Sequence, residues 1–356
     1  MAANRNSLAT NLAGAGKQPL PVNWPDGTGL LILPEHGRLL GLYAAEHDAN
    51  FLWTNPALAE ATSAQAYFRR AGWSNPGGDR TWLAPETRLF IGDPARPAET
   101  YQVPPALDPG HWTLRSAGAG EVLLENVTRL HWLRTAHEVE VRLTKQYSPA
   151  DNPLSPAMQA QDGLRYAGYT QSTTLEVAPQ TDPSIRLGLW NLLQLPQPGT
   201  MLIPTTALVQ PQLFFGAVTT GELTVTPGVV RWHMGPPGGD AKIGIKAQIV
   251  TGRAGYWRET ATPGIWELVV RQFQVDPTGE YVDALWSNGE EGWGFQACCV
   301  RQGAECFNEL EYHAPAVTAR AGGNRRQELS CVWAFRGAVE GVTRAARALL
   351  GTADAP

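Results

Sequence analysis

The chain has 356 residues, of which 17% are charged, and a formal net charge of −5. That balance supplies neither a basic field for nucleic acid nor a polybasic anchor for a membrane surface. Glycine (37) and proline (28) are plentiful without any periodic tract, a composition that fits many turns joining many short strands.

Residues 1–20 are small and polar and predict a loose arm ahead of one domain over 21–356. This start lacks the apolar core of a signal peptide, and no later stretch is long and apolar enough to span a bilayer. The expectation is a cytoplasmic protein without a membrane partner. From Gly29, "GLLILPEHGRLLGLYAA" reads as two apolar runs broken at Pro-Glu-His-Gly, a hairpin signal. "NFLWTNP" follows as a short strand. The segment 56–70 is the one helix-like stretch in the first half. "HEVEVRLTKQY" alternates strictly, with Val139, Val141 and Leu143 on one face and Glu138, Glu140 and Arg142 on the other. "STTLEVAP", "IRLGLWNLLQLP", "GELTVTPGVVRWHM", "KIGIKAQIV", "IWELVVRQFQV", "GFQACCV", "NELEYHAP" and "QELSCVWAFRG" read as further strands. The chain closes with a helix from Ala338 to Leu350, with Val339, Val342, Ala346 and Leu349 on one stripe and Gly351 as its stop. The predicted fold is all-β: a large antiparallel sandwich with few helices and a C-terminal helix.

Motifs for familiar chemistries are missing. There is no GxSxG, GxGxxG or HExxH, and "GPPGGDAK" has the wrong glycine-to-lysine spacing for a phosphate loop. The four cysteines form no CxxC pair, which predicts free thiols, and the adjacent Cys298 and Cys299 point to opposite faces of a strand. Neither a metal nor a cofactor is expected, and oligomeric state is open.

The remaining polar residues sit in strand contexts. In "NELEYHAP", Glu309 and Glu311 are two apart and share one face. Partly buried, such neighbours raise each other's pKa and one can serve as a general base; on an open sheet both simply face water. His131 and His233 each adjoin a tryptophan and can be core or site histidines. His36 lies in a tight turn, where exposure is the default. Thirteen tryptophans against nine phenylalanines suit both sandwich cores and the stacking of sugar rings.

In "NPGGDRTWLAPE", a Pro-Gly-Gly turn precedes Asp79, Arg80, Trp82 and Glu86. This segment resembles the "GGxRxWxAPE" stretch of bacterial branches of the galactose mutarotase-like (aldose 1-epimerase-like) superfamily. "LLILPEHGRLLGLYAAEHDANFLW", "LGLWNLLQLPQPGTMLIPT", "KIGIKA" and "NELEYHAP" resemble further segments of it in the same order, from about residue 29 to about residue 317.

The resemblance implies a β-supersandwich with a mono- or oligosaccharide bound in the concave face of one sheet. It implies a glutamate that takes the proton of the anomeric hydroxyl and a histidine that protonates the ring oxygen. Glu309 is the candidate base, with Glu311 second. Arg80 would hold a sugar hydroxyl or carboxylate, with backbone at Gly77-Gly78 approaching the ligand. Position 79 is Asp where related segments carry histidine, which leaves His131 or His233 as candidate acids. Trp82, Trp190 and Trp293 are candidate platforms, and Asp79, Arg38, Asn191 and Lys242 further binding candidates. The alternatives are a non-catalytic carbohydrate-binding protein on the same scaffold and a polysaccharide-cleaving enzyme.

Overall fold

The computed structural model describes residues 4–351 apart from Ala119, Gln302, Ala304 and Ala321. Two large sheets, in which every strand pairing is antiparallel, pack face to face. In order across the first, nine-stranded sheet lie Leu20–Asn23, Gly29–Leu33, Arg38–Tyr43, Asp79–Ala84, Gly188–Pro196, Phe307–His313, Trp293–Val300, Ala241–Lys246 and Gln212–Gly216. The second has ten strands, with Ile265–Phe273, Arg325–Ala338 and Arg165–Val177 at its centre.

Alternation decides what fills the space between them. Glu138–Pro149 buries Val139, Val141 and Leu143 and turns Glu138 and Arg142 to solvent. In the first sheet the central strands Gly188–Pro196 and Phe307–His313 are buried on both faces. Their inner face meets the second sheet: Tyr312 stacks on Phe273 at 4.8 Å, and Asn308 donates to the Tyr256 hydroxyl at 2.7 Å. Their outer face is covered by connecting segments from the stretches 73–108 and 281–293.

Helix Val339–Leu350 lies against the outer face of the second sheet. It buries Val342, Ala345, Ala346, Leu349 and Leu350 against Trp257, Leu268, Trp333 and Phe335. Burying each of Val342, Leu349 and Leu350 is worth roughly 1.5–3 kcal/mol. Gly351, at φ 66°, closes the helix with its N–H on the Arg347 carbonyl. Among the described residues no helix is long and apolar enough to cross a membrane.

Two local expectations are corrected. Within the stretch expected as a loose arm lies a helix, Arg5–Gly14, capped by the Asn4 side chain on the Ser7 N–H. Its Leu8 and Leu12, four apart on one face, pack on Leu31, Leu33, Leu40, Leu58 and Tyr67. The hairpin Gly29–Leu33 to Arg38–Tyr43 forms as read, but His36 in its turn is buried. It packs on Phe68 and lies 3.2 Å from Lys17 Nζ. Burial, with Lys17 and Arg38 nearby, lowers its pKa to about 3.

Candidate functional site

On the outer face of the nine-stranded sheet, strand register assembles a polar floor. Gln194, Glu309, Cys298 and Lys242 are in-register neighbours on four adjacent strands. The next row runs Arg80, Leu192, Glu311, Gln296, and the next Trp82, Trp190, His313. Period-two geometry sets the intervening residues inward, where they belong to the core.

Two buried ion pairs organise this floor. Arg80 Nη2 lies 2.8 Å from Glu309 Oε1, which also accepts from Gln194 Nε2 at 3.0 Å. Among the described residues no donor reaches Glu309 Oε2. Arg80 lies 3.9 Å over the Trp82 ring. Lys242 Nζ lies 3.1 Å from Glu311 Oε2, which also accepts from Trp190 Nε1 at 2.7 Å. Glu311 Oε1 is buried without a partner. Burial, with Glu309 nearby and Lys242 opposing, pushes the Glu311 pKa up to about 7. Burial alone would lower Lys242, but Glu311, Glu86 and Asp283 outweigh it and hold the ammonium charged.

Above this floor is a cavity of about 450 Å³, walled by Trp73, Trp82, Tyr101, Trp190, Phe215 and Trp286. Glu86, just past the strand Asp79–Ala84, completes it. Its Oε2 accepts from Trp286 Nε1 at 2.8 Å, and its backbone N–H donates to Asp283 Oδ1 at 3.0 Å. Burial and Asp283 raise the Glu86 pKa against the pull of Lys242. Behind Trp82, whose Nε1 donates to Asp108 Oδ2 at 3.0 Å, Asp108 is paired with Arg38 at 2.6 Å. Burial alone would raise Asp108, but Arg38 and Arg80 hold its pKa down.

The structure thus brings Glu309, Glu311, Arg80, Trp82, Trp190 and Lys242 to one cavity. Other expected site residues lie elsewhere. Asp79 faces the sandwich interior, 3.1 Å from Arg271 Nη1 and 2.5 Å from the Tyr169 hydroxyl, both on the opposite sheet. Asn191 also faces inward, accepting from Thr81 Oγ1 and Gln171 Nε2. Arg38 is fully buried behind the tryptophan wall. Trp293 packs on Phe214 and under Lys246 in a separate small cluster. His131 and His233 are exposed on strands of the second sheet, so neither reaches the cavity. None of the described residues lining the cavity is a histidine. Gly77 and Gly78, both at positive φ, approach the protein's own backbone: an added Cβ would meet the carbonyls of Trp53 and Leu39.

Sequence reasoning missed Tyr101 and Trp286, which sit in loops without a periodic signal. Glu86 was visible as the close of "WLAPE" but carried no role. His313, on the same strand and face as the two glutamates, is buried, stacks on Trp190 at 5.4 Å and lies 3.9 Å from Asp283. Burial lowers its pKa to about 4.

Cys298, Glu309 and Glu311 bring one potential metal-ligand atom each within 4.8 Å of one another. The two carboxylates are already neutralised by Arg80 and Lys242. Burial, with the two glutamates beside it, raises the Cys298 thiol well above its ordinary pKa. The donor set therefore suits the two side-chain cations rather than a divalent ion. All four cysteines are free, with Cys298 on the cavity side and Cys299 in the core.

No family model and no curated relative matches the chain. Solved structures similar to it include galactose 1-epimerase from Lactobacillus acidophilus, at 8% identity and TM-score 0.43, covering 90% of this chain and 94% of that one. A galactose mutarotase-like protein from Clostridium acetobutylicum is similar at 9% identity and TM-score 0.44, covering 89% and 98%. A GalM/aldose epimerase homologue from C. elegans is similar at 8% identity and TM-score 0.40, covering 91% and 99%.

Proposed function

We propose that the cavity binds a sugar and exchanges its anomers in the manner of an aldose 1-epimerase, with Glu309 as general base. One observation carries this reading: a carboxylate with one oxygen free of donors stands beside tryptophan walls on a single sheet face. Aromatic rings offer flat apolar surfaces to the C–H faces of a pyranose, and charged groups among them bond its hydroxyls. The volume of about 450 Å³ lies within the ~300–1,000 Å³ usual for small-molecule sites.

Arg80 and Gln194 fix Glu309 through Oε1, so Oε2 is the oxygen that takes the proton of the anomeric hydroxyl. Glu311, tied to Lys242 and Trp190, bonds a second hydroxyl through its unpartnered Oε1. Lys242 and Arg80 lie over Trp190 and Trp82 and keep those rings in place. Anomer exchange across a panel of aldoses, followed by NMR, tests the reading. Wild type should exceed the spontaneous rate, and Glu309→Gln should return it to background. Wild-type rates in Glu309→Gln would remove the base.

A second reading, sugar binding without turnover, is favoured by the lack of histidine in the described cavity lining. Calorimetric titration separates the two: binding with no exchange, weakened in Trp82→Ala, supports a binding protein.

A further inference from the structure

Anomer exchange needs a proton donor as well as a base. We propose that Glu86 is that donor, so that two carboxyl groups divide the roles of acid and base; this rests on the sugar-exchanging reading above. The division follows from how the cavity's carboxyl groups are held. Glu309 and Glu311 each face a cation within an ion pair. Glu86 instead accepts from the indole N–H of Trp286. Trp286 Nε1 lies 2.8 Å from its Oε2, and the Tyr101 ring stands beside Trp286. The two rings lie 6.2 Å apart and wall the carboxyl from water, leaving it 4% exposed. Its backbone is pinned by Asp283.

The titratable groups facing Glu86 are Lys242, Asp283 and Tyr101. Lys242 is committed to Glu311, and Asp283 adds a like charge. Burial and Asp283 displace a carboxyl so placed toward its protonated form, while Glu309 is held in an ion pair with Arg80.

The step balances. Glu309 Oε2 removes the proton of the anomeric O–H, that bond's electrons form C1=O, and the bond from C1 to the ring oxygen breaks. The ring oxygen takes the proton of Glu86, giving an open-chain aldehyde. After rotation about C1–C2 the hydroxyl attacks the other face of the carbonyl and returns its proton to Glu86. The carbonyl oxygen takes back the proton on Glu309.

The test is anomer exchange of the best aldose of the panel, as a function of pH, in wild type, Glu86→Gln and Trp286→Phe, with thermal melts as a folding check. Glu86→Gln can accept from Trp286 but has no acid proton. It should lose roughly 10²- to 10⁴-fold in kcat with KM little changed. The wild-type alkaline limb should vanish with it. Trp286→Phe removes a donor that favours the ionised form, so it should shift the alkaline limb upward. Should Glu86→Gln not fold, that shift decides alone, and an unmoved limb overturns the assignment. Exchange by wild type that persists undiminished in folded Glu86→Gln overturns Glu86 alone. No exchange by wild type for any aldose overturns the sugar-exchanging reading and this assignment with it.

Discussion

Arg80 and Glu309, 229 positions apart in sequence, meet at 2.8 Å across the strand Gly188–Pro196 that separates them. Both are almost shut off from water, so removing one partner leaves a buried charge. Arg80→Met should lower unfolding free energy by about 3–5 kcal/mol, read from urea denaturation. Glu309→Gln should cost less, since Gln still accepts from Arg80. A double-mutant cycle with negligible coupling would show that the pair does not form.

Asp79 precedes Arg80 but points the opposite way, to Arg271 and Tyr169. Asp79→Ala should therefore destabilise by about 3–5 kcal/mol. In the protein that remains folded, ligand affinity should be unchanged. A variant of normal stability with altered sugar binding would contradict the inward placement.

Trp73, 38% exposed at the cavity rim, meets the Trp82 ring edge-on at 5.7 Å. Trp73→Ala should weaken ligand binding while changing stability by less than about 1 kcal/mol, as surface substitutions usually do. Trp190, fully packed, should by contrast cost about 3–5 kcal/mol as Trp190→Ala. Calorimetry and denaturation on both variants separate contact from packing.

The buried His313 gives a signed pH effect. Burial, with Lys242 adding to it, lowers its pKa from 6.5 to about 4 against the pull of Asp283. A depressed folded-state pKa means stability is fully present above about 6.5 and is lost as pH falls toward 4. Glu311, raised to about 7, runs the other way: its contribution is lost as pH climbs from 4.5 to 7. Comparing wild type with His313→Phe cancels the glutamate. Wild-type stability relative to that variant should decline from pH 6.5 to 4, and a flat difference would place the histidine in water.

Gly78 carries a positive φ and abuts the Leu39 carbonyl. Gly78→Ala should cost at least about 1–2 kcal/mol from the left-handed backbone, with the collision added. A melt within a degree of wild type would refute the close approach.

What the sequence disclosed follows from period and register. The alternation of "HEVEVRL" and of "NELEYH" names the faces correctly, because a strand has only two. It does not say which face is the cavity. Asp79 and Arg80 look equivalent in a string, and only the position of Arg271 on the far sheet distinguishes them. Adjacency to tryptophan drew His131 and His233 into consideration, yet both stand on exposed positions of the second sheet. Glu86, Tyr101 and Trp286 come together from two connecting segments, and contacts of that kind leave no trace in local periodicity. The helix Arg5–Gly14 was hidden for a different reason: its apolar face consists of just two leucines.

The central strands of the first sheet are packed on both sides, with core residues and cavity residues taking alternate positions. Loss of one codon inside Phe307–His313 would therefore do more than shorten a strand. It would turn Leu310 and Tyr312 toward the tryptophans and drive carboxylates into the sandwich. Such strands can drift by substitution, one side at a time, but are closed to insertion and deletion. Variation in length is left to the loops that carry Glu86 and Trp286.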